Sequence, residues 1–192
     1  MNVLDKLLSE RLQLKSCHID RFKELMSVKK LGNKDLLIRE GTVCDFLGVV
    51  VSGWLRSYVQ NEETEHNNDF FFENDFVSAY ASFLTRQPNV CNIQALTDTE
   101  ICCISYRQLN DLVKEDAEWM KLGKYVSDHF FIKKCNRETS FLKESASERF
   151  QSCLKHYPGI EQKVSQYNIA SYLGIKPETL SRIKRSAYIY KL

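Results

Sequence analysis

The chain has no Cys-x-x-Cys pair, no glycine-rich phosphate loop, no membrane-length apolar run and no cluster of histidines. Each absence removes a class of function. The seven cysteines (17, 44, 91, 102, 103, 135 and 153) are odd in number and unpaired in spacing, which argues against a zinc ribbon or a disulfide scaffold. They read as reduced thiols, several of them buried as small apolar residues. Seven glycines spread thinly leave no loop to cradle a nucleotide phosphate chain. His18, His66, His129 and His156 lie far apart, so a metal-dependent enzyme built on strands lacks its ligand set, and His66 reads as a surface imidazole. No nucleophile–histidine–acid set is visible, and Asp69, Glu73 and Asp75 read as a solvated turn rather than a catalytic pair. The opening Met-Asn-Val-Leu-Asp-Lys lacks a signal-peptide layout, so a cytoplasmic protein without membrane contact is expected. The expectation is a non-enzyme with no cofactor, no metal site and no catalytic residue.

What is present is a division of charge. The net charge of +2 conceals two unlike parts. Residues 133–192 hold 12 Lys+Arg and 5 Asp+Glu, a net of +7, and the remaining residues carry a net of −5. An acidic body with a basic C-terminal third suits a sensor joined to a nucleic-acid reader.

The basic third contains the most informative stretch, residues 165–185. Ser165 is placed to cap a helix whose Ile169, Ala170 and Leu173 share one face. Gly174 supplies a tight turn, and Pro177 suits the first position of a second helix. In that helix Leu180, Ile183 and Ala187 point inward, while Glu178, Arg182 and Arg185, with Ser181 beside them, point outward. Arginine donates two bonds to guanine and glutamate accepts from the cytosine amino group, so the outward row suits base reading. Lys176 stands where a capping Ser or Thr is expected, which weakens the start of the helix. An ordinary amphipathic helix pair with a solvated charged face would show the same periodicity.

The order of residues tips that balance. Ile169, Ala170, Leu173, Gly174, Ile175, Glu178, Thr179, Leu180, Ser181 and Arg182 resemble the helix-turn-helix motif of the Crp/Fnr family of bacterial transcription regulators. The order of segments upstream extends the resemblance over nearly the whole chain. It implies an α+β protein: an N-terminal β-roll of jelly-roll, cyclic-nucleotide-binding-like form, a long dimerisation helix, and a C-terminal winged-helix-type helix-turn-helix domain. The expected divisions are residues 1–115, 116–142 and 143–192.

Read in order, residues 3–31 look helical, through Leu4, Leu7, Leu8, Leu12 and Leu14 and then Phe22, Leu25 and Met26, with Asp20 placed to cap the second run. From Leu36 to Ile104 short alternating segments and turns predict strands. Phe70–Phe72 reads as core rather than an exposed aromatic patch. Tyr106–Val113 reads as a short helix. Asp116 to about Leu142 reads as a long one, with a stripe of Trp119, Leu122, Val126 and Phe130. Such a stripe either pairs two subunits or packs on its own β-roll. The resemblance favours the dimer, which would set two readers about one DNA turn, ~34 Å, apart. Ser145–His156 begins the reader, and Ile160–Val164 reads as a strand of a small wing.

Cyclic-nucleotide-binding members of the family use a Gly-Glu pair and, further on, an Arg followed by Ser or Thr. Here Ser78 and Ala79 fall at the first pair and Asn89 and Val90 at the second, with Arg86 nearby. Both charged partners are missing, and a buried phosphate without a cation is costly. The chain therefore reads as a homodimeric, sequence-specific DNA-binding transcription regulator that does not respond to cyclic AMP. Glu178 and Arg182 would read bases. Thr179 and Ser181 would lie near bases or backbone, and Gln166, Lys176 and Arg185 would hold phosphates. The expected partners are double-stranded DNA, a second copy and RNA polymerase, with the effector open. The alternatives are a small-ligand sensor acting through protein contacts, and an enzyme built on the roll.

Overall fold

The computed structural model describes residues 3–62 and 64–189, with side-chain surroundings for residues 5–62 and 64–186. A short helix α1 (Val3–Lys6) continues into a π-helical turn over Leu7–Arg11, and α2 spans Ser16–Leu25. Eight strands follow: β1 (Ser27–Leu31), β2 (Leu36–Ile38), β3 (Phe46–Ser52), β4 (Leu55–Asn61), β5 (Thr64–Phe71), β6 (Phe76–Val77), β7 (Asn92–Ala95) and β8 (Thr99–Ser105). They form two four-stranded sheets in the orders β1-β8-β3-β6 and β2-β7-β4-β5, with every pair antiparallel. Alternation sends Val50, Leu55, Phe71, Ile93 and Ile101 into one core. The β3–β4 turn needs Gly53: its φ is +95°, and an added Cβ would lie 2.5 Å from the Asp98 carbonyl.

The helical reading of residues 3–31 holds only in part. Ser27–Leu31 is a strand, paired with β8 from Ser27↔Cys103 to Leu31↔Thr99. The unpaired edge of β8 outweighs the local pattern, as tertiary context commonly does for short segments. Asp20 lies inside α2 and caps nothing, since the cap position is Lys15 and makes no side-chain bond. Leu8, Leu12 and Leu14 are buried, while the side chain of Leu4 lies outside the described residues.

Helix α3 (Tyr80–Thr85) lies between β6 and β7, and α4 (Tyr106–Glu115) follows β8 behind a Ser105–Gln108 capping box. Asp116 caps a 3₁₀ turn (Ala117–Trp119), which leads into α5 (Met120–Lys143). The stripe of Trp119, Leu122, Val126 and Phe130 is buried in the chain's own core, so it is not a dimer seam. Helices α2 and α3 supply its aromatic partners: Phe22 stacks on Trp119 at 5.7 Å and Tyr80 on Phe130 at 4.7 Å.

Four helices close the chain: α6 (Ala146–His156), α7 (Ile160–Lys163), α8 (Gln166–Leu173) and α9 (Pro177–Ile189). The wing strand expected at Ile160–Val164 is helix α7, and among the described residues no strand follows β8. Ile160 and Val164 are both buried at a spacing of four, which serves a helical turn, and a segment this short shows no period of its own.

Candidate nucleic-acid interface

Helix α8 begins at Ser165, whose hydroxyl accepts from the Asn168 N–H at 3.2 Å. Its Ile169, Ala170 and Leu173 are buried, and Gly174 ends it with φ +67°. Two residues on, Pro177 opens α9. Leu180 is fully buried and Ile183 packs beside it. The side chain of Ala187, counted on the inward row, lies outside the described residues.

The structure brings most of the expected reading residues together. Glu178, Ser181, Arg182 and Arg185 are exposed along one side of α9, with Thr179 half-buried. Lys176 and Gln166 are exposed at the starts of α9 and α8. The neighbouring Lys184 is held down by Glu161 at 2.7 Å. The exposed row therefore projects from a helix whose inner face is fixed by Leu180, Ile183 and the Lys184–Glu161 pair.

A second face of α8 does something the sequence did not announce. Strand β5 is the edge of its sheet, and α8 covers that edge. The Asn67 N–H donates to Ser171 Oγ at 2.9 Å, and Ser171 donates on to the Glu65 carbonyl at 3.0 Å. Asn67 Nδ2 donates to the Asn168 carbonyl at 3.2 Å, and Arg56 Nη1 to Asn168 Oδ1 at 3.0 Å. Arg56 is itself buried between Glu65 at 2.6 Å and Gln94. From the other side Arg137 donates to the Tyr172 carbonyl at 3.0 Å and Arg149 to the Leu173 carbonyl at 3.2 Å, two cations at the carboxyl end of α8. The visible signal was polar residues Asn168, Ser171 and Tyr172 at helical spacing, facing Asn67 and Asp69 at strand spacing. Neither pattern names its partner.

Beneath this contact lies a buried ionic cluster. Asp69 is buried rather than part of a solvated turn. It accepts from Lys133 Nζ at 2.8 Å, the Tyr157 hydroxyl at 2.9 Å and the Phe70 N–H at 2.8 Å. Burial opposes the charge on Lys133, but Asp69 and Asp75 outweigh it and hold the ammonium pKa above its ordinary value. Burial also pushes the Tyr157 hydroxyl well up.

Asp75 is raised to about 6, chiefly by burial, against the pull of Lys133 and the Phe72 N–H. With a folded pKa above the ordinary 3.8, the folded chain keeps a proton the unfolded chain has released. Stability is therefore lost as pH rises from roughly 4 to 6 and stays lost at neutral pH. Asp75→Asn is expected to raise stability at pH 7 by about 1–3 kcal/mol, with the gain vanishing in acid below both pKa values, as urea unfolding at the two pH values will show.

The residues read as an effector pocket separate. Ser78, Ala79, Asn89 and Val90 line a cavity of about 610 Å³ between α3, α5 and the roll. Arg86 does not line it: it donates to the Cys44 carbonyl at 2.7 Å and lies over the Tyr106 ring. Asn89 is spent on its own loop, donating to the Arg39 and Thr42 carbonyls and accepting from the Cys91 N–H.

Residues 28–116 match the family model of the cyclic nucleotide-binding domain. No curated protein matches the chain. Among solved structures the chain is similar to FixK2 from Bradyrhizobium japonicum, with 16% identity, a TM-score of 0.76 and 86% of each chain covered. It is also similar to CLP of Xanthomonas campestris, a c-di-GMP responsive global regulator, with 17% identity, a TM-score of 0.69 and 93% and 94% covered. A protein from Eubacterium rectale described as a transcriptional regulator of the Crp/Fnr family shares 20% identity and a TM-score of 0.71 over 93% of this chain and 85% of that one. At these identities the likeness extends to the fold. The roll, the long helix and the terminal helices thus share the fold of these solved structures, and the family-model match falls on the roll.

Proposed function

We propose that the chain is a homodimeric, sequence-specific DNA-binding transcription regulator of the Crp/Fnr type that does not respond to cyclic AMP. The observation that carries this reading is the exposed row Glu178, Ser181, Arg182 and Arg185 on a helix fixed by its other side. A short helix presented in this way reaches base edges in a major groove, while Lys176, Arg185 and Gln166 hold the flanking phosphates. The net +7 of residues 133–192 supplies the sequence-independent attraction.

Pairing of two copies uses a face of α5 other than the buried stripe. Phe131 and Leu142 are exposed on it, with Cys135 and Glu138 between them, at a spacing of four, three and four. Two features support the absence of a cyclic-nucleotide response: by the family resemblance Ala79 falls where a ribose-binding carboxylate is expected, and Arg86 donates to the Cys44 carbonyl instead of lining the cavity. Calorimetric titration of cyclic AMP should give no heat.

The test uses the full chain on fragments selected from genomic DNA. Arg182→Ala is expected to cost about 1–3 kcal/mol on a selected site and to relax its specificity. Lys176→Ala should weaken all sequences alike and reduce the salt slope by about one. Equal losses on selected and random DNA for Arg182→Ala would overturn the base-reading role.

A further inference from the structure

The cavity lined by Ser78, Ala79, Asn89 and Val90 has almost no polar group left to offer. Ser78 Oγ donates to the Phe46 carbonyl at 3.0 Å, Ser82 Oγ to the Gln87 carbonyl, and Asn89 is occupied as described. Asp69, which also borders it, is saturated by Lys133, Tyr157 and its own neighbour's N–H. Tyr80 and Ser127 bond each other at 2.7 Å. Phe71, Ala79 and Phe130 form an apolar interior.

Two groups stand apart. Lys134 is exposed on α5 at the wall and has no carboxylate partner among the described residues. The Asn68 amide oxygen borders the same cavity, is shielded from solvent and has no hydrogen-bond partner. The rim is apolar as well: Leu84, Val90 and Phe131 are 53%, 72% and 70% exposed, and all three line this cavity. An exposed apolar cluster around a concave site marks a binding surface.

We propose that this cavity binds a small amphipathic monocarboxylate. Its apolar body fills the space, its carboxylate meets Lys134 at the rim, and a hydroxyl on the body donates to Asn68. One lysine supplies a single positive charge for a single carboxylate, and the occupied polar groups of the lining leave little to bond the ribose and base of a cyclic nucleotide. The volume accommodates a body of roughly ten carbon atoms. The α5 face proposed for pairing runs past the mouth at Phe131, so a second copy would cover the bound body. The inference deepens the regulator reading and rests on it for any consequence at DNA, but not for binding itself.

The experiment is calorimetric titration of the full chain with ω-hydroxydecanoate, with decanediol as the neutral counterpart, and with cyclic AMP. The acid is expected to bind about fivefold tighter than the diol, and Lys134→Met, an exposed substitution that keeps the apolar stem, should erase the difference. Val90→Trp, placed in the mouth, should weaken both. Equal affinity for acid and diol, a preference that survives Lys134→Met, or displacement of the acid by cyclic AMP would overturn the proposal. DNA retention by the same preparations separates the two readings. Retention without selective acid binding sinks this inference alone, and selective binding without retention sinks the regulator reading alone.

Discussion

Lys133→Met is expected to destabilise the chain by about 3–5 kcal/mol, the largest loss for any single substitution in the ionic cluster. The reason is what remains. Asp69 stays buried, still accepting from Tyr157 and the Phe70 N–H, but without the cation 2.8 Å away that offsets its desolvation. Methionine preserves the aliphatic stem and removes the ammonium that lies over the Phe71 and Tyr157 rings, so the loss reports the charge rather than a cavity. The double variant Asp69→Asn, Lys133→Met should recover a large part of the stability, because neither partner is then stranded. Chemical denaturation of the two variants beside the parent is the measurement. Full additivity of the two single losses would show that the pair does not act as a unit.

Phe70→Ala is expected to cost about 3–5 kcal/mol, and its effect should fall on the terminal helices. Phe70 belongs to β5, yet it is fully buried among Phe150, Cys153, Tyr157, Ile160, Ile169 and Leu180. Its neighbour Phe71 points the other way, into the core of the roll. The two adjacent rings therefore serve two cores, as alternation along a strand requires. Hydrogen exchange should show increased opening of α8 and α9 in Phe70→Ala, with the roll little changed. Uniform opening of both parts would contradict the division. A peptide of residues 145–192 lacks Phe70, Trp54 and Phe72, all of which pack into that cluster, so binding experiments need the whole chain.

Much of the architecture was legible because local chemistry and tertiary need agree. Ser165, Gly174 and Pro177 mark helix ends by their own stereochemistry, and each does so in the structure. The strands from Leu36 to Ile104 were legible by alternation and turns. Three readings failed where periodicity is silent. Ser27–Leu31 becomes a strand because β8 has an edge to fill. The stripe on α5 is apolar in either setting, and only the facing surface decides between roll and second copy. Ile160–Val164 is too short for a strand and a helical turn to differ. The candidate reading row was legible residue by residue, whereas the contact that sets its direction was not. Asn67, Asp69, Lys133 and Asn168 are polar residues of a kind usually solvated, and only their meeting makes them interior.

The turn between α8 and α9 has one further implication. A Cβ at Gly174 would lie 2.8 Å from Cε1 of Phe141, whose ring sits near the end of α5 with Arg137 and Arg149 over it at 4.7 and 4.9 Å. The long helix thus presses a flat aromatic wedge against the hinge of the terminal helix pair. Any side chain larger than hydrogen at position 174 would have to displace that ring, so glycine there is what lets the end of α5 and the α8–α9 turn lie so close.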